Sequence, residues 1–81
     1  MENSIEMKIR EIVSKNIELS VPIEQISNNY DLTILGMNSV NGIKVIVDIE
    51  AEYGFEFADE DLNIDNFRTI NNLVSYVKAR V

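Results

Sequence analysis

The stretch Leu35-Gly36-Met37-Asn38-Ser39-Val40 sets a hydroxyl where phosphate chemistry is favoured. Gly36 permits a tight turn, Asn38 is a good helix cap, and Ser39 is then left at the exposed start of the helix that follows. Free backbone N–H groups and the positive end of the helix dipole stabilise an anion there, so a phosphodiester on the Ser39 hydroxyl is electrostatically tolerated. Taken alone, the six residues read more simply as a turn and a cap.

Two other groups of oxygens invite a chemical reading. Asp61-Leu62-Asn63-Ile64-Asp65 has the spacing that opens a calcium-binding loop, but the pattern then fails. Its sixth position is Asn66 where glycine makes the sharp turn, and its twelfth is Asn72 where a bidentate glutamate is needed. Counting from Asp59 instead puts Ile64 and Ile70 at those positions. Asp48, Glu50 and Glu52 sit at helical spacings that leave them mainly on solvated faces, with no cleft indicated to tune a carboxylate for acid–base work. Composition removes the rest. With no histidine and no cysteine there is no thiol nucleophile, no imidazole base, no Ser-His-Asp triad and no zinc site, and 81 residues allow one small core. The chain is not expected to be an enzyme.

The charge is unevenly laid out. Fourteen acids face seven bases for a net −7, and residues 21–67 hold ten of those acids with Lys44 as their one base. Residues 68–81 hold three bases and no acid. Nucleic acids require a cationic surface, so they are not expected as partners, and the acidic centre predicts a basic protein partner. No apolar run approaches the roughly 20 residues that span a bilayer. The amino terminus, Met1-Glu2-Asn3, lacks a basic region followed by an apolar stretch. A monomeric cytoplasmic protein without membrane association is expected.

The elements that position Ser39 follow from periodicity. Ile5, Ile9, Ile12, Val13 and Ile17 predict a first amphipathic helix, capped by Asn3 or Ser4, with Glu6 completing a capping box to Asn3. Pro22 closes that region, and residues 19–37 read as a long loop pinned by isolated apolar residues. Asn38 and Gly54 bracket a second helix, Ser39 to Tyr53. On it, Ile43, Ile46, Ile49 and Tyr53 predict an inward stripe joined by Val45. Val40, Lys44, Val47 and Ala51 fall on another side, which is more apolar than a single core-facing stripe requires. Phe55 and Phe57 read as anchors, Asp59 to Leu62 as a short helical turn, and residues 63–68 as loop. Thr69 caps a last helix carrying Ile70, Leu73, Val74, Val77 and Val81, with Lys78 and Arg80 near its carboxyl end. The prediction is an all-α single domain over residues 1–81, with three main helices, one short helix and a long first loop.

Taken together, Leu35-Gly36 with Ser39, the helix after it, Tyr53-Gly54-Phe55-Glu56-Phe57, the acidic turn and Thr69-Ile70 resemble the acyl and peptidyl carrier protein family along nearly the whole chain. The resemblance implies the small four-helix carrier bundle. It also implies that a dedicated transferase moves 4′-phosphopantetheine from coenzyme A to Ser39, with Gly36 and Asn38 forming the attachment turn. The arm then supplies the thiol that a chain without cysteine lacks, and acyl, aminoacyl or peptidyl groups ride on it. A ligase or adenylation enzyme loads the cargo, and downstream biosynthetic enzymes take it. Such enzymes bind the helix after the serine through basic and apolar surfaces, which implies a partner face of Met37, Val40, Lys44, Val47 and Ala51 with weak, salt-sensitive contacts. Two positions depart from the family pattern. Asn38 stands where aspartate is usual, which puts the choice of transferase in question. Lys44 lies where fatty acid synthase carriers tend to be acidic. The departures favour a stand-alone carrier of a specialised, nonribosomal-peptide or polyketide-like pathway. A fatty acid synthase carrier and an unmodified acidic helical adaptor stay open as alternatives.

Overall fold

Ile9 and Val13 lie one turn apart on the first helix, and both are fully buried, with Ile12 beside them. That stripe is the surface on which the other helices assemble. In the computed structural model, which describes residues 2–81 with side chains from Ser4 onward, three α-helices follow in order: α1 (Glu2–Asn16), α2 (Ser39–Tyr53) and α3 (Ile70–Lys78). Both α2 and α3 pack on α1. The shared core joins Ile9 and Val13 of α1 to Val45 and Ile49 of α2 and to Ile70, Leu73 and Val77 of α3, all fully buried. Each such side chain contributes about 1.5–3 kcal/mol of burial.

The predicted stripe of α1 is borne out, with Ile17 following the helix and donating its N–H to the Val13 carbonyl. Its predicted cap is not at Ser4, which lies inside α1 and is exposed. The Asn3 side chain, and with it the Asn3–Glu6 capping box, falls outside the described residues. Glu6 instead accepts a hydrogen bond from Asn28 and pairs with Arg10.

α2 begins and ends as predicted. Asn38 caps it, and Gly54 at φ 73° closes it in the left-handed conformation. Its rotation differs from the prediction. The buried arc is Gly42, Val45, Ile46 and Ile49, whereas Ile43 is 62% exposed and Tyr53 half-buried. A hydrogen bond of 2.8 Å from Asn16 of α1 to the Asp48 carboxylate ties the two helices on one side. Met37 folds over Gly42 on another, where an added Cβ would meet its terminal methyl at 3.4 Å. With both sides occupied, Ile43 turns outward.

The two connections contain short helical turns. The first, read as loop over residues 19–37, holds 3-10 turns at Ile23–Gln25 and Leu32–Leu35 and is pinned by buried Ile26 and Leu32. The second holds a 3-10 turn at Asp59–Asp61, where a short helix was predicted, and another at Ile64–Asn66, where loop was predicted. Asn63 makes that last turn by accepting from the Asp65 N–H. Thr69 caps α3 through its hydroxyl oxygen, which accepts the Asn72 N–H at 3.1 Å. α3 stops at Lys78, so Val81, predicted on its apolar stripe, lies beyond the helix and is 64% exposed.

Candidate functional site

The 3-10 turn Leu32–Leu35 delivers the chain to Gly36, whose φ of 121° is open to glycine alone. A Cβ there would also stand 3.4 Å from the Glu18 carbonyl oxygen, so the turn is pressed against the end of the first helical region. The next residue, Met37, is only 4% exposed and donates its N–H to the Leu32 carbonyl. This corrects its predicted place on a partner face. Its unbranched side chain fills the gap over Gly42, and the turn is thereby anchored to the core.

Asn38 then takes an extended conformation, and its side-chain oxygen accepts from the N–H groups of Val40 and Asn41 at 2.9 and 3.0 Å. Asn41 answers in both directions. Its oxygen accepts the Asn38 N–H at 2.7 Å, and its amide nitrogen donates to the Gly36 carbonyl at 3.0 Å. The sequence reading missed Asn41. The signal was present, because a polar side chain three residues after a cap is the second half of a capping box. Asparagine therefore does at position 38 all the capping an aspartate would do, without its charge.

Ser39 is the first residue of α2, exposed, and its hydroxyl has no hydrogen-bond partner among the described residues. The Val40 and Asn41 N–H groups are taken by Asn38, and the Gly42 N–H donates to the Asn38 carbonyl. The Ser39 N–H is left, with the helix dipole behind it, to favour an anion on the neighbouring oxygen. Beside the hydroxyl runs a groove of about 230 Å³ between α2 and the second connection. Its apolar lining comes from Met37, Ile43, Ile46 and Val47 on one side and Leu62, Ile64 and Phe67 on the other. Pockets for drug-sized ligands run to roughly 300–1,000 Å³, so this one suits a short chain. An exposed hydroxyl, a capped turn and an adjoining apolar groove together fit a phosphate-linked arm with an apolar or amide-bearing tail.

The other predicted surface residues fall as follows. Val40, Lys44, Val47 and Ala51 are exposed, and Ile43 joins them. Of the acids on α2, Glu52 is exposed as predicted, but two are half-buried with structural partners. Asp48 is held by Asn16 and Lys15, and Glu50 accepts the Phe57 N–H at 2.8 Å, tying the second connection to α2. The oxygens of the failed calcium pattern are also engaged: Asp61 by Tyr76 and Arg80, Asp65 by Arg68, and Asn63 by its own turn. Tyr76 is pushed above its ordinary value by burial and by its hydrogen bond to Asp61, so it stays a neutral donor. Among the described residues no group of acids is placed to hold a metal ion, and no helix is long and apolar enough to cross a membrane.

Residues 8–77 match the family model described as phosphopantetheine attachment site. The chain is 33% identical over 70 residues to an aminoacyl carrier protein of Agrobacterium fabrum, covering 86% of this chain and 84% of that protein. It is 33% identical over 79 residues to an acyl carrier protein of Buchnera aphidicola, covering 96% and 95%. It also superposes, with a TM-score of 0.84 and 32% identity, on a chain in a crystal structure of an engineered Bradyrhizobium japonicum glycine:[carrier protein] ligase complexed with a carrier protein from Agrobacterium tumefaciens and AMP. The match covers 90% of this chain and 97% of that one. A capped serine turn on a three-helix core is the frame of a carrier protein. This chain belongs to the phosphopantetheine-bearing acyl and aminoacyl carrier family, and its prosthetic group is a covalent 4′-phosphopantetheine whose thiol carries acyl groups as thioesters.

Proposed function

We propose that Ser39 is the attachment point of the arm, and that the chain carries aminoacyl or acyl groups for a specialised pathway. The observation that supports this best is the exposed, unpartnered Ser39 hydroxyl, held by the Asn38–Asn41 clasp beside the apolar groove. Among the described residues it is the one serine that opens an α-helix. In this reading the chain catalyses nothing itself. Gly36, Asn38 and Asn41 hold the turn so that the hydroxyl faces an incoming transferase, and Met37 keeps that turn fixed to the core.

The loading partner is an amino acid:carrier protein ligase or an adenylation enzyme, a reading supported by the aminoacyl relative and by the ligase complex among the similar structures. Lys44 on the outward face supports a specialised carrier over a fatty acid synthase one. A second reading, a fatty acyl cargo, is favoured by the apolar lining of the groove and by the acyl carrier relative.

The test is the intact mass of the protein before and after incubation with coenzyme A, magnesium and a broad-specificity phosphopantetheinyl transferase, with fragmentation to locate the adduct. One phosphopantetheine on Ser39 is expected, and none on Ser39→Ala, whose helical circular dichroism should match the parent. An adduct on another serine, or none with several transferases, overturns the assignment.

A further inference from the structure

Glu50 is the one charged side chain among the described residues that line the groove beside Ser39. It lies eleven residues after Ser39 on α2, or about three helical turns, so the two fall on the same side of the helix about 16 Å apart. Ile43 and Ile46 line the turns between them. Glu50 is half-buried, and its Oε2 accepts the Phe57 N–H at 2.8 Å. Its Oε1 has no hydrogen-bond partner among the described residues. The charges of the opposite wall are engaged elsewhere, Asp61 by Tyr76 and Arg80 and Asp65 by Arg68. Lys44, although on α2, does not line the groove. The apolar groove therefore ends, along α2, at a carboxylate with an open oxygen.

An arm on Ser39 is long enough to reach that oxygen. Its phosphate, pantoyl, β-alanyl and cysteamine units equal about five residues of extended chain, or about 17 Å. A carboxylate bordered by apolar side chains attracts a cation more strongly than one in open water. Among the described residues no group of acids is placed to hold a metal ion, so the cation it suits is a singly charged one. An alkyl chain laid there would strip water from the carboxylate without pairing it. An amino acid held as a thioester keeps its amino group, and in its protonated form that group is such a cation. We propose that Glu50 pairs with the free ammonium of an amino acid on the arm, and so fits the groove to aminoacyl rather than fatty acyl cargo. A volume of about 230 Å³ restricts that amino acid to a small one. The inference rests on the carrier reading above and names its cargo class.

The test loads the full chain with a cargo that does not hydrolyse. A phosphopantetheinyl transferase attaches the arm from a coenzyme A analogue whose thiol is replaced by an amine bearing isotopically labelled glycine. The titration of the glycyl ammonium is then followed by its NMR shift. Its midpoint should lie about 0.5 pH unit or more higher on the parent than on Glu50→Gln, because a nearby carboxylate favours the charged form. Glutamine keeps an oxygen for the Phe57 N–H, so the circular dichroism of that variant should match the parent. Glu52→Gln, which removes an exposed acid of α2 outside the groove, should leave the midpoint where it is. The parent should also titrate higher than free glycylated aminopantetheine, a comparison that needs no variant. Equal midpoints on parent and Glu50→Gln overturn the inference. So does an equal fall with Glu52→Gln, which would assign the shift to the net charge of the chain. Arm attachment, read by mass, keeps the two proposals apart: no arm on Ser39 overturns the carrier reading and this inference with it, whereas equal midpoints on an attached arm overturn this inference alone.

Discussion

The two connections between helices are held by different forces. The first, which ends at Ser39, adds to its buried Ile26, Leu32 and Met37 a set of directional polar contacts from α1, from α3 and from Arg68 just before α3. Arg10 donates to the Ile23 carbonyl and to Asn28, Asn71 donates its N–H to the Asn28 carbonyl, and Arg68 bridges to Asp31 while its carbonyl accepts the Leu32 N–H. The second, which walls the groove, has the Glu50 and Asp61 contacts but is distinguished by a cluster of rings. Phe57 stacks on Tyr76 with centroids 4.3 Å apart, Phe67 meets Phe57 edge-on at 5.2 Å, and Phe55 closes the group. Hydrogen bonds are individually modest and can be removed one at a time, whereas ring packing is collective. The difference suits the two tasks. A segment that must aim one hydroxyl needs angular restraint, and one that must line a groove needs apolar surface.

The comparison can be broken at four points. The largest effect is expected from Phe57→Ala, which removes the ring at the centre of the cluster and should cost about 3–5 kcal/mol in urea unfolding. A cost below about 1 kcal/mol would show that the rings do not hold the second connection. Arg10→Ala comes next, at about 1–3 kcal/mol, because it leaves a partly buried carbonyl and the Asn28 side chain without their donor. Amide exchange should then quicken in residues 22–32 while α2 stays protected, and uniform loss of protection would contradict a piecewise connection. Asn41→Ala should cost about 1 kcal/mol as a lost cap partner and slow arm attachment at Ser39 by the transferase. An attachment rate equal to the parent's would mean that the clasp does not aim the hydroxyl.

Asp31→Asn should give the smallest change, visible only as a pH dependence. The Thr33 hydroxyl and N–H, and then Arg68, hold the Asp31 carboxyl below its ordinary value of 3.8, with desolvation opposing them. A carboxyl lowered by folding stabilises the fold at pH above its unfolded value and loses that contribution as pH falls through the lowered one. Thermal unfolding of parent and variant should therefore differ above about pH 4 and converge below it. A gap that persists at low pH would assign the effect to something other than the carboxylate charge.

The sequence by itself determined the three helices and their boundaries at Asn38, Gly54 and Thr69, because capping and left-handed closure are local chemistry that each residue performs on its own backbone. It also marked Ser39 and the turn before it, since a glycine, a cap and a hydroxyl in that order need nothing from the rest of the chain to be read. Which side of α2 faces inward was a tertiary decision. Val40, Ile43, Val45, Ile46, Val47 and Ile49 are apolar nearly all round the helix, so periodicity allows more than one buried arc. The Asn16–Asp48 bond and Met37 over Gly42 selected the arc that leaves Ile43 outside. The same holds for Met37 itself, whose place in the core depends on a cavity that exists only once α2 has docked. It holds too for Glu50, spent on a backbone N–H seven residues away, and for the ring cluster, assembled from residues 55 to 76 by packing that no local pattern encodes.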